Sequence, residues 1–283
     1  MTPFRRRNRL DRARIARGRN RADADQSDDS VDFEVEDLEL VKPRARNKGI
    51  YLLPNAFTTA ALFCGFFAIV QAMNHQFEAA AIAIFASLVL DGMDGRIARM
   101  TNTQSAFGEQ YDSLADMVSF GVAPALVAYE WVLKDFGKWG WLAAFTYCAG
   151  AALRLARFNA NTGVVDKKFF QGLPSPAAGA LIAGFIWLAD DNKLPVRDSA
   201  IPWVTFFITI YAGLTMVSNA RFYSGKALDI RYRVSFGVMV LMILTFVLIS
   251  SNPPLTLFGF FVVYAVSGYV IWAWERFTGR KLT

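Results

Sequence analysis

The sequence predicts an all-α integral membrane protein, with a bundle of about eight transmembrane helices and a disordered, charged N-terminal tail. Of its 283 residues, 54% are hydrophobic and 25 are Phe. Only 19% are charged, whereas soluble domains carry about 25%. Much of that charge lies in the first 48 residues. These observations exclude an ordinary water-soluble enzyme.

The tail differs sharply from the remainder of the chain. Residues 1–48 contain 13 Lys or Arg and 10 Asp or Glu, and residues 49–283 contain 17 and 14. The tail charges come in blocks, with nine Arg in residues 1–21 and nine acids in residues 23–39. Such blocks bury too little apolar surface to offset the entropy of ordering. We therefore expect residues 1–48 to be a disordered cytoplasmic tail near anionic lipid, without nucleic acid, and residues 49–283 to form one membrane domain.

Eight apolar runs follow the tail. Each is close to the length of about 20 residues that crosses a bilayer as a helix. Polar or turn-forming residues separate the runs, as at Asn74-His75-Gln76. The predicted helices cover residues 52–73, 77–98, 107–133, 139–158, 174–190, 199–218, 234–250 and 255–274.

Basic residues predict the orientation of the bundle. With the N-terminus inside, most Lys and Arg residues of the membrane domain fall on the cytoplasmic side. The opposite side holds only Lys134, Lys138, Lys193 and Arg197. By the positive-inside rule, both termini and the loops near residues 100, 165 and 225 face the cytoplasm. A bacterial inner membrane is the expected location.

Few residues are available for metal or nucleophile chemistry based on sulfur or imidazole. His75 is the only histidine in the sequence, and Cys64 and Cys148 are its only cysteines. Two cysteines in apolar runs cannot build a disulfide framework or, with one histidine, a four-ligand zinc site. A paired-histidine mechanism is excluded in the same way.

Acidic residues are concentrated in two neighbouring predicted helices. Ionisable groups inside a membrane are costly and usually have a function. Residues spaced by three or four share one helix face. A short connection at residues 100–106 makes the two helices antiparallel, so their acids can converge at the cytoplasmic end. The residues sharing these faces are Asp91, Asp94, Gly95 and Ala98 on one helix, and Gly108, Asp112 and Asp116 on the next.

Four carboxylates at one place predict a divalent metal site. At low dielectric they would repel one another strongly unless cations neutralised them. Oxygen ligands favour two Mg²⁺ or Mn²⁺ ions over zinc, and such ions stabilise displacement at phosphorus. The guanidinium of Arg99 matches a phosphate group. The alternative of another class is an ion-coupled transporter, whose sites commonly lie near the bilayer midplane.

The acidic segment resembles the signature of the CDP-alcohol phosphatidyltransferase family. That signature reads D-x-x-D-G-x-x-A-R, eight further residues, then G-x-x-x-D-x-x-x-D, and every fixed position matches residues 91–116. The resemblance extends over most of residues 50–275. It implies transfer of a phosphatidyl or similar group from a CDP-alcohol to a hydroxyl, release of CMP, and a homodimer. It further implies metal ligands at Asp91, Asp94 and Asp112, a ligand or catalytic base at Asp116, and a CDP site lined by Gly95, Ala98, Arg99 and Gly108.

Four segments look like the phosphatidylserine synthase branch of that family. They are L-R-x-A-R-F-N at residues 153–159, F-x-G-L-P-S-P-A-A at residues 170–178, S-L-A-D-M-V-S-F-G-V-A-P at residues 113–124 and P-N-x-x-T at residues 54–58. The similarity implies CDP-diacylglycerol as donor and L-serine as acceptor. Asn55 and Thr58 would then bind CDP, or only cap and pack the first helix. Arg154 and Arg157 would bind the serine carboxylate or a phosphate, or only anchor the helix. Glycerol 3-phosphate, an inositol phosphate and choline remain alternative acceptors.

Overall fold

The structure, a computed structural model, describes residues 52–101, 103–160, 169–195, 200–223 and 236–278. The predicted tail and its boundary at residue 48 lie outside these ranges. The described residues are almost entirely helical, which confirms the all-α class. The helices are α1 (Leu52–Met73), α2 (Phe77–Thr101), α3 (Ala106–Asp116), α4 (Ala123–Trp131), α5 (Lys138–Ala160), α6 (Ser175–Asp191), α7 (Ile201–Val217), α8 (Phe236–Ser251) and α9 (Pro253–Thr278).

One predicted helix is interrupted in the structure. The run at 107–133 consists of α3, a π-helix at Met117–Val122, α4 and a 3₁₀ turn at Leu133–Phe136. With α3 and α4 counted as one run, the described residues contain eight helical runs at the predicted places. How many of them cross a membrane stays a prediction.

Two short strands are absent from the sequence prediction. β1 (Phe169–Gln171) pairs antiparallel with β2 (Arg221–Tyr223), and Phe170 lies opposite Phe222. Three-residue strands are too short to show an alternating pattern. They join the segment before α6 to the segment after α7.

Local signals explain where several helices begin and end. Ser105 caps α3 by accepting a hydrogen bond from the amide of Gly108 at 3.0 Å, which satisfies one of the free N–H groups of the first turn. Proline lies in the first turn of α6 and of α7, where its missing N–H has no cost. After α1, His75 adopts a left-handed backbone conformation with φ of 59°, so the chain reverses into α2.

Small residues bring the helices into close contact. Gly150 of α5 lies against the backbone of Gly213 of α7, and a Cβ on Gly213 would come within 2.8 Å of the Tyr147 Cα. Alanine is the commonest residue of the buried core. Helices α5 and α7 therefore meet backbone to backbone.

The outer surface of the bundle is strongly apolar. Phe63, Phe207 and Val263 are 64%, 62% and 71% exposed, and many other large apolar side chains share this surface. A soluble monomer rarely exposes so much contiguous apolar area. Within the part of the chain that the structure describes, two helices, at Leu53–Met73 and Pro253–Thr278, are long and apolar enough to cross a membrane. These features are those of an integral membrane protein.

We expect Gly213→Ala to lower the free energy of unfolding by about 1–3 kcal/mol, because the added methyl group would meet the Tyr147 backbone. Thermal unfolding in detergent would measure this as a lower Tm. The matched control is Gly259→Ala, where a Cβ would have no neighbour within 4 Å and the variant gains helix propensity. Equal Tm values for the two variants would contradict the close approach of α5 and α7.

Candidate active site

The structure brings the predicted acidic residues together. We call Asp91, Asp94, Asp112 and Asp116 the carboxylate cluster. Asp91, Asp112 and Asp116 each place a carboxylate oxygen within 4.8 Å of the other two. The side chains of Asp94 and Asp112 also interact directly. All four carboxyl groups thus meet where the end of α2 faces α3.

Helix α1 supports both helices that carry the cluster. α2 and α3 each pack against α1, whereas they make few contacts with each other. The Thr58 hydroxyl of α1 donates a hydrogen bond to Asp94 Oδ2 at 2.7 Å. On the α3 side, the Thr59 hydroxyl lies 2.9 Å from that of Tyr111. Helix α1 therefore closes one side of the gap between α2 and α3.

The cluster suits a divalent cation. Among the described residues, Asp112 Oδ1 is a buried oxygen without a hydrogen-bond partner, and a buried acceptor without a partner is costly. Its neighbours in the cluster are carboxylates, which repel it. A hard cation such as Mg²⁺ or Mn²⁺ takes oxygen ligands of this kind. The donor set thus fits the predicted metal.

A cavity of about 440 Å³ adjoins the cluster. Asp94 and Asp112 lie in its wall, so carboxylate oxygens border the space. All six residues predicted to bind CDP also line it: Asn55, Thr58, Gly95, Ala98, Arg99 and Gly108. Six of the eight fixed signature residues and both first-helix residues therefore border one space, whereas Asp91 and Asp116 are not among its lining residues.

Two glycines of the cavity wall lie beside polar side chains. A Cβ on Gly108 would come within 3.1 Å of Ser105 Oγ and 3.3 Å of Asn55 Oδ1, and would press on both groups. A Cβ on Gly95 would lie 3.5 Å from Nη1 of Arg99, which is an ordinary contact distance. A larger residue at Gly108 would therefore disturb polar groups that border the cavity.

Arg154 is held close to the cluster. It is only 8% exposed, and its Nη1 donates to Ser175 Oγ at 2.8 Å. Its guanidinium interacts electrostatically with Asp116 and with the ring hydroxyl of Tyr264. Among the described residues, Arg154 Nε is a buried donor without a partner. A buried cation with a spare donor can bind an anionic group brought in by a ligand.

Arg157 has different surroundings, although it lies three residues further along α5. Its Nη2 donates to the carbonyl of Gln171 at 2.8 Å, and its two Nη atoms approach three carbonyls at the end of α7. Nη1 also donates to Asn219 Oδ1 at 3.3 Å. The guanidinium thus joins β1 to the end of α7. Its donors are directed at the protein itself.

Gly172 makes room for the Arg157 clamp, by which we mean the hydrogen bonds from Arg157 that join β1 to the end of α7. Its φ of 78° lies in the left-handed region, which residues with a side chain rarely adopt. A Cβ there would also collide with the carbonyl oxygen of Met216 and come within 3.0 Å of Nη2 of Arg157. The glycine of the G-L-P-S-P segment is therefore required by the backbone.

Some residues of the site were not predicted from the sequence. Pro54, Thr103, Gln104, Ser105, Ala106 and Glu109 also line the cavity. The connection between the two acidic helices supplies several of them, and the only signal was its position within the signature. Ser175 lies in a quoted motif, but only the structure pairs it with Arg154.

Comparison with known proteins identifies the family. The model for the CDP-alcohol phosphatidyltransferase family matches residues 51–215, so the chain belongs to this membrane-embedded family, whose members use divalent metals. A Helicobacter pylori protein named CDP-diacylglycerol–serine O-phosphatidyltransferase is 38% identical over 77% of this chain and 90% of its own length. Proteins with the same name are 40% identical in Mycobacterium leprae, over 64% of this chain and 60% of theirs, and 32% identical in Methanocaldococcus jannaschii, over 66% and 81%.

We expect Arg157→Lys to destabilise the fold by about 2 kcal/mol, because one ammonium group cannot reach carbonyls on both β1 and α7. A lower Tm in detergent would show it. Arg276→Lys, in the exposed last turn of α9, is the control and should leave Tm unchanged. An unchanged Tm for Arg157→Lys would contradict the clamp.

Proposed function

We propose that this protein transfers the phosphatidyl group of CDP-diacylglycerol to the hydroxyl of L-serine, giving phosphatidylserine and CMP. The observation that carries the proposal is the carboxylate cluster bordering a cavity lined by all six predicted CDP-binding residues. The names of the relatives support serine as the acceptor. The distribution of charges in the site also suits this reaction, because Asp94 and Asp112 border the cavity and Arg154 interacts electrostatically with Asp116.

We propose that Asp91, Asp94, Asp112 and Asp116 hold two Mg²⁺ or Mn²⁺ ions. When bound, the ions offset the negative charge of the pyrophosphate and of the departing CMP. Thr58 fixes one oxygen of Asp94 through its hydroxyl group. This hydrogen bond orients the Asp94 carboxylate for its proposed role as a ligand.

The protein's own part in the reaction is positioning and proton transfer. The serine hydroxyl oxygen attacks the phosphorus of the phosphatidyl group, and the bond from that phosphorus to the oxygen of CMP breaks. The hydroxyl proton passes to the Asp116 carboxylate, which acts as the general base. Asn55, Thr58, Gly95, Ala98, Arg99 and Gly108 bind CDP beside Asp94, with the Arg99 guanidinium on a phosphate.

Arg154 is the proposed partner of the serine carboxylate. It is buried, carries a free Nε donor and is close enough to Asp116 to interact with it electrostatically. A serine bound there would have its hydroxyl near the base. Arg157 was predicted together with Arg154 as an acceptor or phosphate ligand. Its carbonyl partners lead us to propose instead that it holds the surrounding backbone.

The setting in the cell completes the proposal. We propose eight membrane-spanning helices and a homodimer in a bacterial inner membrane, with the site and both termini in the cytoplasm. The asymmetric distribution of Lys and Arg supports this orientation. A cytoplasmic site would be open to serine and would release CMP into the cytoplasm.

We expect purified protein to release CMP from CDP-diacylglycerol only when Mn²⁺ or Mg²⁺ and L-serine are both present. Chromatographic detection of CMP and phosphatidylserine would measure this, with glycerol 3-phosphate, inositol phosphate and choline as competing acceptors. Turnover with one of these and none with serine would reject the serine assignment and keep the family chemistry. No CMP release with any acceptor would reject the proposed reaction.

Asp116→Asn should lower kcat by about 10²- to 10⁴-fold, because the amide cannot accept the hydroxyl proton. Steady-state CMP release at saturating metal would measure the loss. The control is Asp191→Asn, at the exposed C-terminal end of α6, with kcat expected at the wild-type value. A kcat within threefold of wild type for Asp116→Asn would remove Asp116 from the role of base.

Arg154→Gln should raise the KM for serine by about tenfold or more, because a charged hydrogen bond to the carboxylate is lost. The KM for CDP-diacylglycerol should stay close to its wild-type value. The reverse pattern would move Arg154 to the donor phosphate. Ethanolamine lacks the carboxylate and is the matched substrate control. Arg154→Gln should therefore leave the KM for ethanolamine unchanged.

A further inference from the structure

A buried hydrogen-bond junction lies below the carboxylate cluster. The carbonyl oxygen of Ala61, on α1, accepts one hydrogen bond from Ser87 Oγ at 2.9 Å and another from Ser119 Oγ at 3.1 Å. Ser87 belongs to α2 and Ser119 to the π-helix. The three residues are 3%, 0% and 1% exposed. We call this group the serine junction.

The spacing of the junction relates it directly to the cluster. Ser87 precedes Asp91 by four residues, so it lies one turn away on the same face of α2. Ser119 follows Asp116 by three residues on the chain that continues α3. Ala61 follows Thr58 by three residues, and Thr58 binds Asp94. One carbonyl of α1 is therefore bonded to both segments that carry the carboxylates, one turn from the carboxyl groups.

The backbone of α1 approaches the π-helix very closely at this level. A Cβ on Gly65 would lie 2.7 Å from Ser119 Cα and 2.6 Å from Ser119 Oγ. Only glycine leaves room for the π-helix here. The close approach allows the short Ser119 side chain to reach the Ala61 carbonyl.

The opposite side of the π-helix is also held by a hydroxyl group. Tyr147 of α5 is fully buried, and its hydroxyl donates to the carbonyl of Phe120 at 2.8 Å. A π-helix is rare and often occurs at functional sites. Here it begins at the residue after Asp116. The Tyr147 hydroxyl of α5 holds it on one side, and its own Ser119 hydroxyl bonds to α1 on the other.

A neutral junction solves an electrostatic problem at the site. The carboxylates repel one another, and this repulsion would push α2 and α3 apart or along their axes. α2 and α3 make few contacts with each other that could resist it. Two hydroxyl groups bonded to one carbonyl of α1 fix the register of α2 and of the π-helix relative to α1, without adding a charge. In a low-dielectric interior such bonds are strong.

We propose that Ser87 and Ser119 are positioning residues that set the register of the two carboxylate-bearing segments through the Ala61 carbonyl and thereby determine the affinity for the divalent cation. The inference rests on the proposed metal site. The serines do not touch substrate or metal. Their effect is on where Asp91 and Asp116 lie relative to each other.

The test compares Mn²⁺ binding by the wild type, Ser87→Ala, Ser119→Ala and the double variant in lipid nanodiscs. Electron paramagnetic resonance measures the concentration of free Mn²⁺ in each titration. We expect the Kd for Mn²⁺ to rise about fivefold in each single variant, the factor that one lost hydrogen bond gives, and further in the double variant. In activity assays, the Mn²⁺ concentration for half-maximal rate should rise in parallel. The KM for serine should stay unchanged.

The matched control is Ser267→Ala. The Ser267 hydroxyl donates to the backbone carbonyl of Tyr264 in its own helix at 2.7 Å, so its loss tests the effect of removing a helix hydroxyl without disturbing the junction. Its Kd for Mn²⁺ should equal that of the wild type. Ser87→Thr keeps a hydroxyl group and should bind Mn²⁺ more tightly than Ser87→Ala.

Three results would decide against the proposal. A Kd for Mn²⁺ within twofold of wild type in both single variants would overturn it, and so would a lower Tm with unchanged Kd, which assigns the serines to packing alone. Failure of the wild type to bind Mn²⁺ would overturn the metal site and the junction's role with it. If the double variant does not fold, the two single variants and Ser87→Thr settle the question.

Discussion

Mutual repulsion among four carboxylates is the constraint on which the arrangement of this site depends. Asp91, Asp94, Asp112 and Asp116 converge from two helices that make few direct contacts with each other. Such a group can stay ionised in a low-dielectric bundle only with cations, and it needs a scaffold that resists separation. α1 is that scaffold, because both helices pack on it and its Thr58 hydroxyl binds Asp94. The cluster and its support therefore form one structural unit.

The same constraint accounts for the small residues around the site. Where α1 meets the π-helix, Gly65 lets the two backbones approach, so that the Ser119 hydroxyl can reach the Ala61 carbonyl of α1. Hydroxyl groups at these contacts supply hydrogen bonds without further charge. At the cavity, Gly95 and Gly108 keep the wall free of side chains. Small residues thus serve close packing in one place and ligand access in the other.

Periodicity was sufficient to predict the helices and the shared faces, because apolar runs and offsets of three or four residues are local properties. It could not reveal the π-helix after Asp116, since one extra residue per turn leaves no clear mark in a largely apolar segment. β1 and β2 were missed because three residues carry no alternation. The motif identified Asn55 and Thr58, yet the bond from Thr58 to Asp94 depends on packing between helices distant in sequence.

The two arginines of α5 show why residue type and spacing alone do not assign a role. Arg154 and Arg157 are three residues apart and share the motif, so the sequence treats them alike. Arg154 faces α6, where Ser175 accepts a hydrogen bond from Nη1 and Nε has no partner. Arg157 faces the joint between β1 and α7, where carbonyl oxygens of Gln171 and Met216 accept its hydrogen bonds. The neighbours arriving from distant parts of the chain decide which guanidinium can bind an incoming anion. One of those carbonyls belongs to β1, so a three-residue strand that the sequence did not reveal helps to separate a candidate binding residue from a structural one.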